Sequence, residues 1–306
     1  MTDIIIIGAG TAGMTAALYA LRAGKSVMLL ENDAIGGQIA SSPKVENFPT
    51  IASISGYDFA DKFFEQVTAH GADFEPFEAE SVVKEADGTF TVVAEGEVFR
   101  SKAVILACGV KHKVLGLDGE DTLKGISFCA VCDGAFYKDK EVILLGDGNT
   151  ALQYGILLSN YCSKVYVCTL FDKFFGDSAL SNTLLARDNV VWHKNVYATA
   201  YLSENGKDLS GVAFSDFTTK QPAFNLEASA CFVAIGQKPN NERFSNIASL
   251  DGMGYILTDE DMKCKVEGVF AAGDCRAKAV RQLTTAANDG AVAALGACSY
   301  IDSVIK

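Results

Sequence analysis

Histidine is scarce in this chain, with three in 306 residues, and the one Cys-x-x-Cys, at Cys129 and Cys132, has no second copy. A tetrahedral zinc site needs four thiolate or imidazole ligands, so this pair lacks its other half and no metal is expected. Basic residues are also in short supply: 26 Lys and Arg stand against 38 Asp and Glu, a formal net charge of −12, with no basic block. Nucleic acid and anionic membrane are therefore poor partners. No apolar run approaches the length needed to cross a bilayer. Strand-like residues begin at Ile4, which leaves no room for the charged head of a secretory signal. Nine cysteines, an odd number over a long chain, argue against a secreted disulfide scaffold and for a reducing cytoplasm. Cys162, Cys168, Cys231 and Cys298 sit among apolar neighbours and read as small buried hydrophobes.

The remaining composition, 49% hydrophobic and 21% charged, is that of a globular protein with ample core, and the length predicts two domains. Ile4-Ile5-Ile6-Ile7 reads as a buried parallel strand. It runs into Gly8-Ala9-Gly10-Thr11-Ala12-Gly13 and an Ala/Leu-rich helix ending near Gly24. Val27 to Leu30 is the next strand, with Glu31 at its end, 23 residues after Gly8. This is a GxGxxG in its strand–turn–helix context with an acid where a ribose hydroxyl needs an acceptor, the pattern of dinucleotide binding. A flexible glycine loop at Gly36-Gly37-Gln38 and the stretch Val45-Glu46-Asn47-Phe48-Pro49 follow, then an amphipathic helix from Tyr57 to His70. Residues 78–100 alternate around Asp87-Gly88 as an antiparallel meander, and Lys102 to Leu106 returns as a strand into Ala107-Cys108-Gly109. Near the C-terminus, Gly268 to Asp274 is a strand and turn, followed by Arg281-Gln282 and a helix to about Val304.

An internal repeat lies between these parts. Glu141 to Leu145 is a strand, Gly146-Asp147-Gly148-Asn149-Thr150-Ala151 a second glycine turn, Leu152 to Tyr161 a helix and Lys164 to Cys168 a strand. The expected fold is α/β, with two Rossmann-like dinucleotide domains of the three-layer ββα type, the second inserted in the first. The boundaries are 1–113 with 243–306 for the first and 114–242 for the second.

Just before the second glycine turn stands Phe128-Cys129-Ala130-Val131-Cys132-Asp133-Gly134. Two thiols at this spacing can close a small disulfide ring and reopen it, and the acid beside them can carry the proton each event requires. A purely structural disulfide, or Asp133 as a simple turn residue, is the plainer alternative.

These motifs together resemble the low-molecular-weight flavin thioredoxin reductases over nearly the whole chain. The supporting pieces are GAGTAG, GGQ, VENFP, the ACG at Ala107–Gly109, CAVCDG, and AAGD followed by RQ. The resemblance implies FAD held by Gly8, Gly10, Thr11, Ala12, Gly13, Glu31, Gly37, Gln38, Asn47, Ala107, Gly109, Gly273, Asp274, Arg281 and Gln282. It also implies that Cys132 faces the flavin, Cys129 exchanges with thioredoxin and Asp133 donates the proton, in a homodimer whose domains rotate.

The chain departs from that family where the electrons enter. Members usually take hydride from NADPH, gripping its 2′-phosphate with an HRRxxxR segment. The matching window here is Thr169-Leu170-Phe171-Asp172-Lys173-Phe174-Phe175, with Leu170, Phe171 and Phe175 at the arginine positions. Burying a phosphate there without a counter-ion is costly. Counting from Gly146 as Glu31 follows Gly8 lands on Thr169, so the carboxylate that reads an NADH ribose is missing too, unless Asp172 substitutes. The pattern is similar to the ferredoxin-dependent flavin thioredoxin reductases. The expected function is electron transfer from ferredoxin through flavin and the Cys129–Cys132 disulfide to thioredoxin. An NADH or deazaflavin donor, or a non-catalytic redox-sensing flavoprotein, is the alternative. Lys111, His112, Lys113, Lys278 and Arg281 are the residues expected to receive an acidic ferredoxin.

Overall fold

In the computed structural model, which describes residues 1–42 and 45–304, the chain divides into two compact units, Met1–Lys111 with Lys238–Lys306, and His112–Gln237. The sequence boundaries of 113 and 243 stand two and five residues further along. In the first unit β1 (Thr2–Ile7), α1 (Thr11–Arg22) and β2 (Val27–Leu30) form the opening β–α–β turn. They are followed by α2 (Gly56–Ala69), β3 (Asp73–Glu75), β4 (Ala79–Lys84), β5 (Phe90–Ala94) and β6 (Glu97–Leu106). Ser55 caps α2, its side chain accepting from the Asp58 N–H.

The isoleucine run of β1 is continuous because both faces of its sheet are covered. Ile4 and Ile6 join one core with α1 and the C-terminal helix, while Ile5 and Ile7 join another beneath the β4–β5 meander. Strand β6 corrects the sequence reading, which ended the meander at 100 and began a new strand at 102. It is one ten-residue strand, antiparallel to β5 over Glu97–Ser101 and parallel to β1 over Ser101–Leu106. The glycine loop after β2 carries local structure. Gly37–Ser41 is a 3-10 turn, fixed by the Gly36 N–H donating to Ala9 O at 2.9 Å and the Gly37 N–H to Ala34 O at 2.8 Å.

The crossings between units, β7 (Lys111–His112) and a later strand at Gln237–Lys238, pair as a two-stranded sheet. Inside the second unit come β8 (Ile126–Ser127), α3 (Ala130–Asp133), β9 (Glu141–Leu145), α4 (Asn149–Ser159), β10 (Lys164–Cys168), α5 (Ser178–Leu185) and β11 (Val190–His193). The antiparallel β12 (Val196–Leu202), β13 (Gly211–Asp216) and β14 (Pro222–Glu227) lead to β15 (Ala230–Val233) and β16 (Gln237–Lys238). The parallel sheet β11-β10-β9-β15-β8 has Val142 and Leu144 in a core with the helices. Ile143 and Leu145 face the β12–β14 layer. The second unit thus repeats the layering of the first. Back in the first unit, β17 (Val269–Ala271) lies parallel to the end of β6 and α6 (Leu283–Val304) packs along α1.

Among the described residues no helix is long and apolar enough to cross a membrane.

Candidate active site

Two sites emerge, one in each unit. In the second, Cys129 and Cys132 are joined as a disulfide with Cα atoms 5.3 Å apart, flanking the single turn α3. The Cys132 N–H donates to Cys129 Sγ at 3.2 Å and the Asp133 N–H to Cys129 O at 3.0 Å. Both cysteines are part-exposed, and Val131 between them is 48% exposed, so the ring lies at the surface of its unit. Asp133 turns the other way. Its Oδ2 accepts from the Ser127 hydroxyl at 2.6 Å, while its Oδ1 is buried without a partner. Burial pushes its pKa up, and the Ser127 hydrogen bond works against that rise.

In the first unit the GxGxxG turn is built as the spacing requires. Gly8 sits at φ +110, and a Cβ there would lie 2.3 Å from Ala107 O. A Cβ on Gly13 would lie 1.9 Å from Gly8 O, so α1 seats against the turn as closely as a glycine allows. Gly10 caps α1 and its surroundings are open, the nearest atom to a Cβ being Gly36 O at 3.7 Å. Glu31 is anchored, Oε2 accepting from the Ala9 N–H at 3.0 Å and Oε1 from the Asp33 N–H at 2.9 Å. Gly273 approaches α1 so closely that a Cβ on it would meet Ala12 Cβ at 2.7 Å, which brings Asp274 to the same helix end.

These residues fit a bound dinucleotide. Thr11 Oγ1 and Asp274 Oδ1 are both buried with no partner, a hydroxyl donor at the start of α1 and a carboxylate on the turn beside it. An orphaned pair of this kind costs free energy unless a ligand completes it. Burial raises the Asp274 pKa, with Lys278 and Arg281 opposing the rise. The other positions expected at FAD fall into two sets. Gln38 is tied through Nε2 to Val110 O, and Asn47 Nδ2 donates to Gln282 Oε1 at 3.2 Å. Ala107 and Gly109 form the turn that follows β6, with open space around Gly109. Arg281 lies over the Tyr255 ring at 4.2 Å and donates through Nε to Asp274 O at 3.3 Å.

One residue of this cradle escaped the sequence reading. Asp289 of α6 is buried, and its Oδ2 accepts from the Gly273 N–H at 3.1 Å and from Lys278 Nζ at 2.8 Å, with Arg276 3.6 Å away. It fixes the turn that presents Asp274. An acid inside a helix otherwise rich in Ala and Gly was the available signal. The same pairing corrects the reading of Lys278 as surface charge, since its side chain is 9% exposed. Lys111 is bound to Asp33 at 3.2 Å, and His112 is stacked on Phe128 at 5.2 Å with its pKa lowered by burial. With Arg281 also engaged, four of the five residues expected to receive an acidic partner have other duties.

The second glycine turn repeats the first, with Gly146 at φ +141 and a Cβ there 2.4 Å from Ala234 O. The residues beyond it diverge. Thr169 is buried, donating from Oγ1 to Phe171 O at 2.6 Å and accepting from Trp192 Nε1 at 2.9 Å. Phe174 turns inward and stacks on Trp192 at 4.6 Å. Leu170, Phe171 and Phe175 do not enter the core, being 40%, 40% and 59% exposed. The Phe171 ring meets Phe175 and Phe217 edge-on at 5.5 and 5.3 Å, so rings cover this surface after β10.

Residues 2–290 match the family model described as pyridine nucleotide-disulphide oxidoreductase. A protein encoded in a rubredoxin operon of Clostridium pasteurianum is 38% identical, over 98% of this chain and 97% of its own length. The thioredoxin reductase of Bacillus subtilis is also 38% identical, over 99% and 95% of the two chains. Among solved structures, thioredoxin reductase from Streptococcus pyogenes superposes with a TM-score of 0.93 at 34% identity, covering 99% of each chain.

Proposed function

The chain belongs to the pyridine nucleotide-disulphide oxidoreductase family, and on that footing we propose that it is an FAD-dependent thioredoxin-disulfide reductase supplied with electrons by ferredoxin. The observation that carries the choice of donor is the exposed surface of Leu170, Phe171 and Phe175 after β10. A 2′-phosphate set against it would lose water and gain no guanidinium, and Thr169 offers a ribose no carboxylate. FAD, when bound, accepts electrons singly and yields them in pairs, which admits a one-electron donor. Plant-type ferredoxins lie near about −400 mV and thioredoxin near about −270 mV, a gap worth about 6 kcal/mol for two electrons.

Thioredoxin as the oxidised substrate is supported by the relatives at 38% identity and 34% identity that carry that activity in their names. Gly8, Gly10, Thr11, Ala12, Gly13, Glu31 and Asp274 would hold the cofactor. Cys129 is the exchanging thiol, because the Cys132 N–H directed at its sulfur stabilises negative charge there once the ring opens. Cys132 is its resolving partner. Asp133, with a raised pKa, keeps a proton to higher pH than an ordinary carboxyl and hands it to a leaving thiolate. The protein works as a homodimer in the reducing cytoplasm.

The test is to mix the purified protein anaerobically with NADPH, NADH or reduced ferredoxin and follow the visible flavin absorbance. Ferredoxin should bleach it and then reduce thioredoxin. Rapid bleaching by either nicotinamide would overturn the donor, and bleaching by ferredoxin with no thioredoxin reduction would overturn the substrate.

A further inference from the structure

Ser127 stands on β8, buried, two residues before the redox pair. Its hydroxyl has one proton, and that proton is directed to Asp133 Oδ2 at 2.6 Å. The Cys129 N–H donates to the Ser127 hydroxyl oxygen at 3.1 Å, which fixes how the hydroxyl is turned. Asp133 Oδ2 is thereby committed as an acceptor, and the buried, unpartnered Oδ1 is the atom left for a proton. Tyr137, from the turn after α3, and Tyr154, from α4, face the carboxyl, and its charge helps to raise the pKa of both phenols. No ion pair to Asp133 is found among the described residues.

We propose that Ser127 is a positioning residue that pins Oδ2 of Asp133, presents Oδ1 as the proton-carrying atom, and so sets the pH range of thiol–disulfide exchange. The inference rests on the reading of Asp133 as the proton carrier. The exchange balances as follows. The Cys129 thiolate bonds to one sulfur of the thioredoxin disulfide, and the other sulfur leaves as a thiolate and takes the Oδ1 proton. The carboxylate so formed removes the Cys132 proton. Cys132 then bonds to Cys129 and displaces the second thioredoxin sulfur, so that thioredoxin gains the electron pair and the enzyme disulfide closes. Ser127 keeps its own proton throughout. Its hydrogen bond favours the carboxylate, and losing it raises the proton affinity of Asp133.

The experiment follows a single turnover between dithionite-reduced holoenzyme and oxidised thioredoxin across pH. The Asp133 carboxyl is titrated in parallel by its infrared C=O stretch in the resting protein. Asp133→Asn should remove both the alkaline limb of the rate profile and the infrared transition. Ser127→Ala should move both upward by about one pH unit, a tenfold rise in proton affinity, and Ser127→Thr should return them to the wild-type position. Ser127→Ala should change nothing further in an Asp133→Asn background. A limb that persists in Asp133→Asn would overturn the proton-carrier reading itself. A limb that vanishes there but stays in place in a folded Ser127→Ala, with rates lowered equally at all pH, would overturn the role of Ser127 alone. If the alanine variant does not fold, a displaced limb or infrared transition in Ser127→Thr refutes the proposal and an undisplaced one sustains it.

Discussion

Replacing Asp289 by alanine isolates the energetics of the cradle in the first unit. The substitution leaves the Lys278 ammonium, 9% exposed, without its carboxylate, and the Gly273 N–H without its acceptor. Breaking one side of a buried ion pair costs about 3–5 kcal/mol. An orphaned backbone donor costs about 1–3 kcal/mol more, with partial overlap between the two. A loss of about 4 kcal/mol, divided by a urea dependence of about 2.5 kcal/mol per molar, lowers the denaturation midpoint by about 1.5 M. The two units need not unfold together, so each requires its own signal. Trp192 is the sole tryptophan and lies in the second unit, so its fluorescence should hold its wild-type midpoint in the variant. Amide exchange in α1 and α6 reports on the first unit and should show the whole loss. Lys278→Met with Asp289→Leu should recover only the part owed to the stranded Lys278 charge, because the Gly273 N–H still lacks its acceptor and Arg276 its carboxylate. A shift below about 0.4 M, or a double variant no better than the single one, would refute the reasoning.

Leu170→Arg, Phe171→Arg and Phe175→Arg together should let NADPH bleach the flavin where the wild type does not, with NADH unaffected, because the gain acts through the 2′-phosphate. Cys129→Ser should stop thioredoxin reduction while leaving reduction of the flavin by its donor intact, as stopped-flow absorbance will show; loss of both would reverse the assigned cysteine roles. Asp133→Asn bears on stability as well as on rate. The folded-state pKa of Asp133 is raised, so between the ordinary carboxyl pKa and that raised value the folded protein binds more protons than the unfolded one, and stability falls as pH rises. The asparagine variant should therefore melt higher than wild type at neutral pH, the advantage disappearing as pH drops below the ordinary carboxyl range.

The first unit was legible where local pattern and burial coincide. The isoleucine run of β1, the glycine turn and Glu31 announce themselves because backbone sterics demand glycine at positions 8 and 13 and a dinucleotide demands the acid. The repeat at Gly146 was readable for the same reason. The join in β6 was not, because Ser101 and Lys102 look like a break until β1 and β5 are seen to pair with successive halves of one strand. The segment 176–242 does carry one signal for β12–β14, the Asn205-Gly206 turn between β12 and β13, but the pairing of β13 with β14 shows only once the strands are seen side by side.

What the amino-acid order alone determined is the chemistry available: a thiol pair with an acid behind it, two glycine turns, and apolar residues where a phosphate grip belongs. Those depend on residue type and spacing, which are properties of the chain before it folds. Which charges are spent and which are free was decided only by tertiary structure. Lys278 reads as a surface cation until α6 brings Asp289 against it. Phe171 and Phe175 are apolar residues in the window of the missing phosphate grip, and only the fold of the second unit shows that they face water. Ser127 acquires its role only when a single helical turn folds Asp133 back to within 2.6 Å of its hydroxyl. Pairing and burial are relations between distant parts of the chain, and no local pattern encodes them.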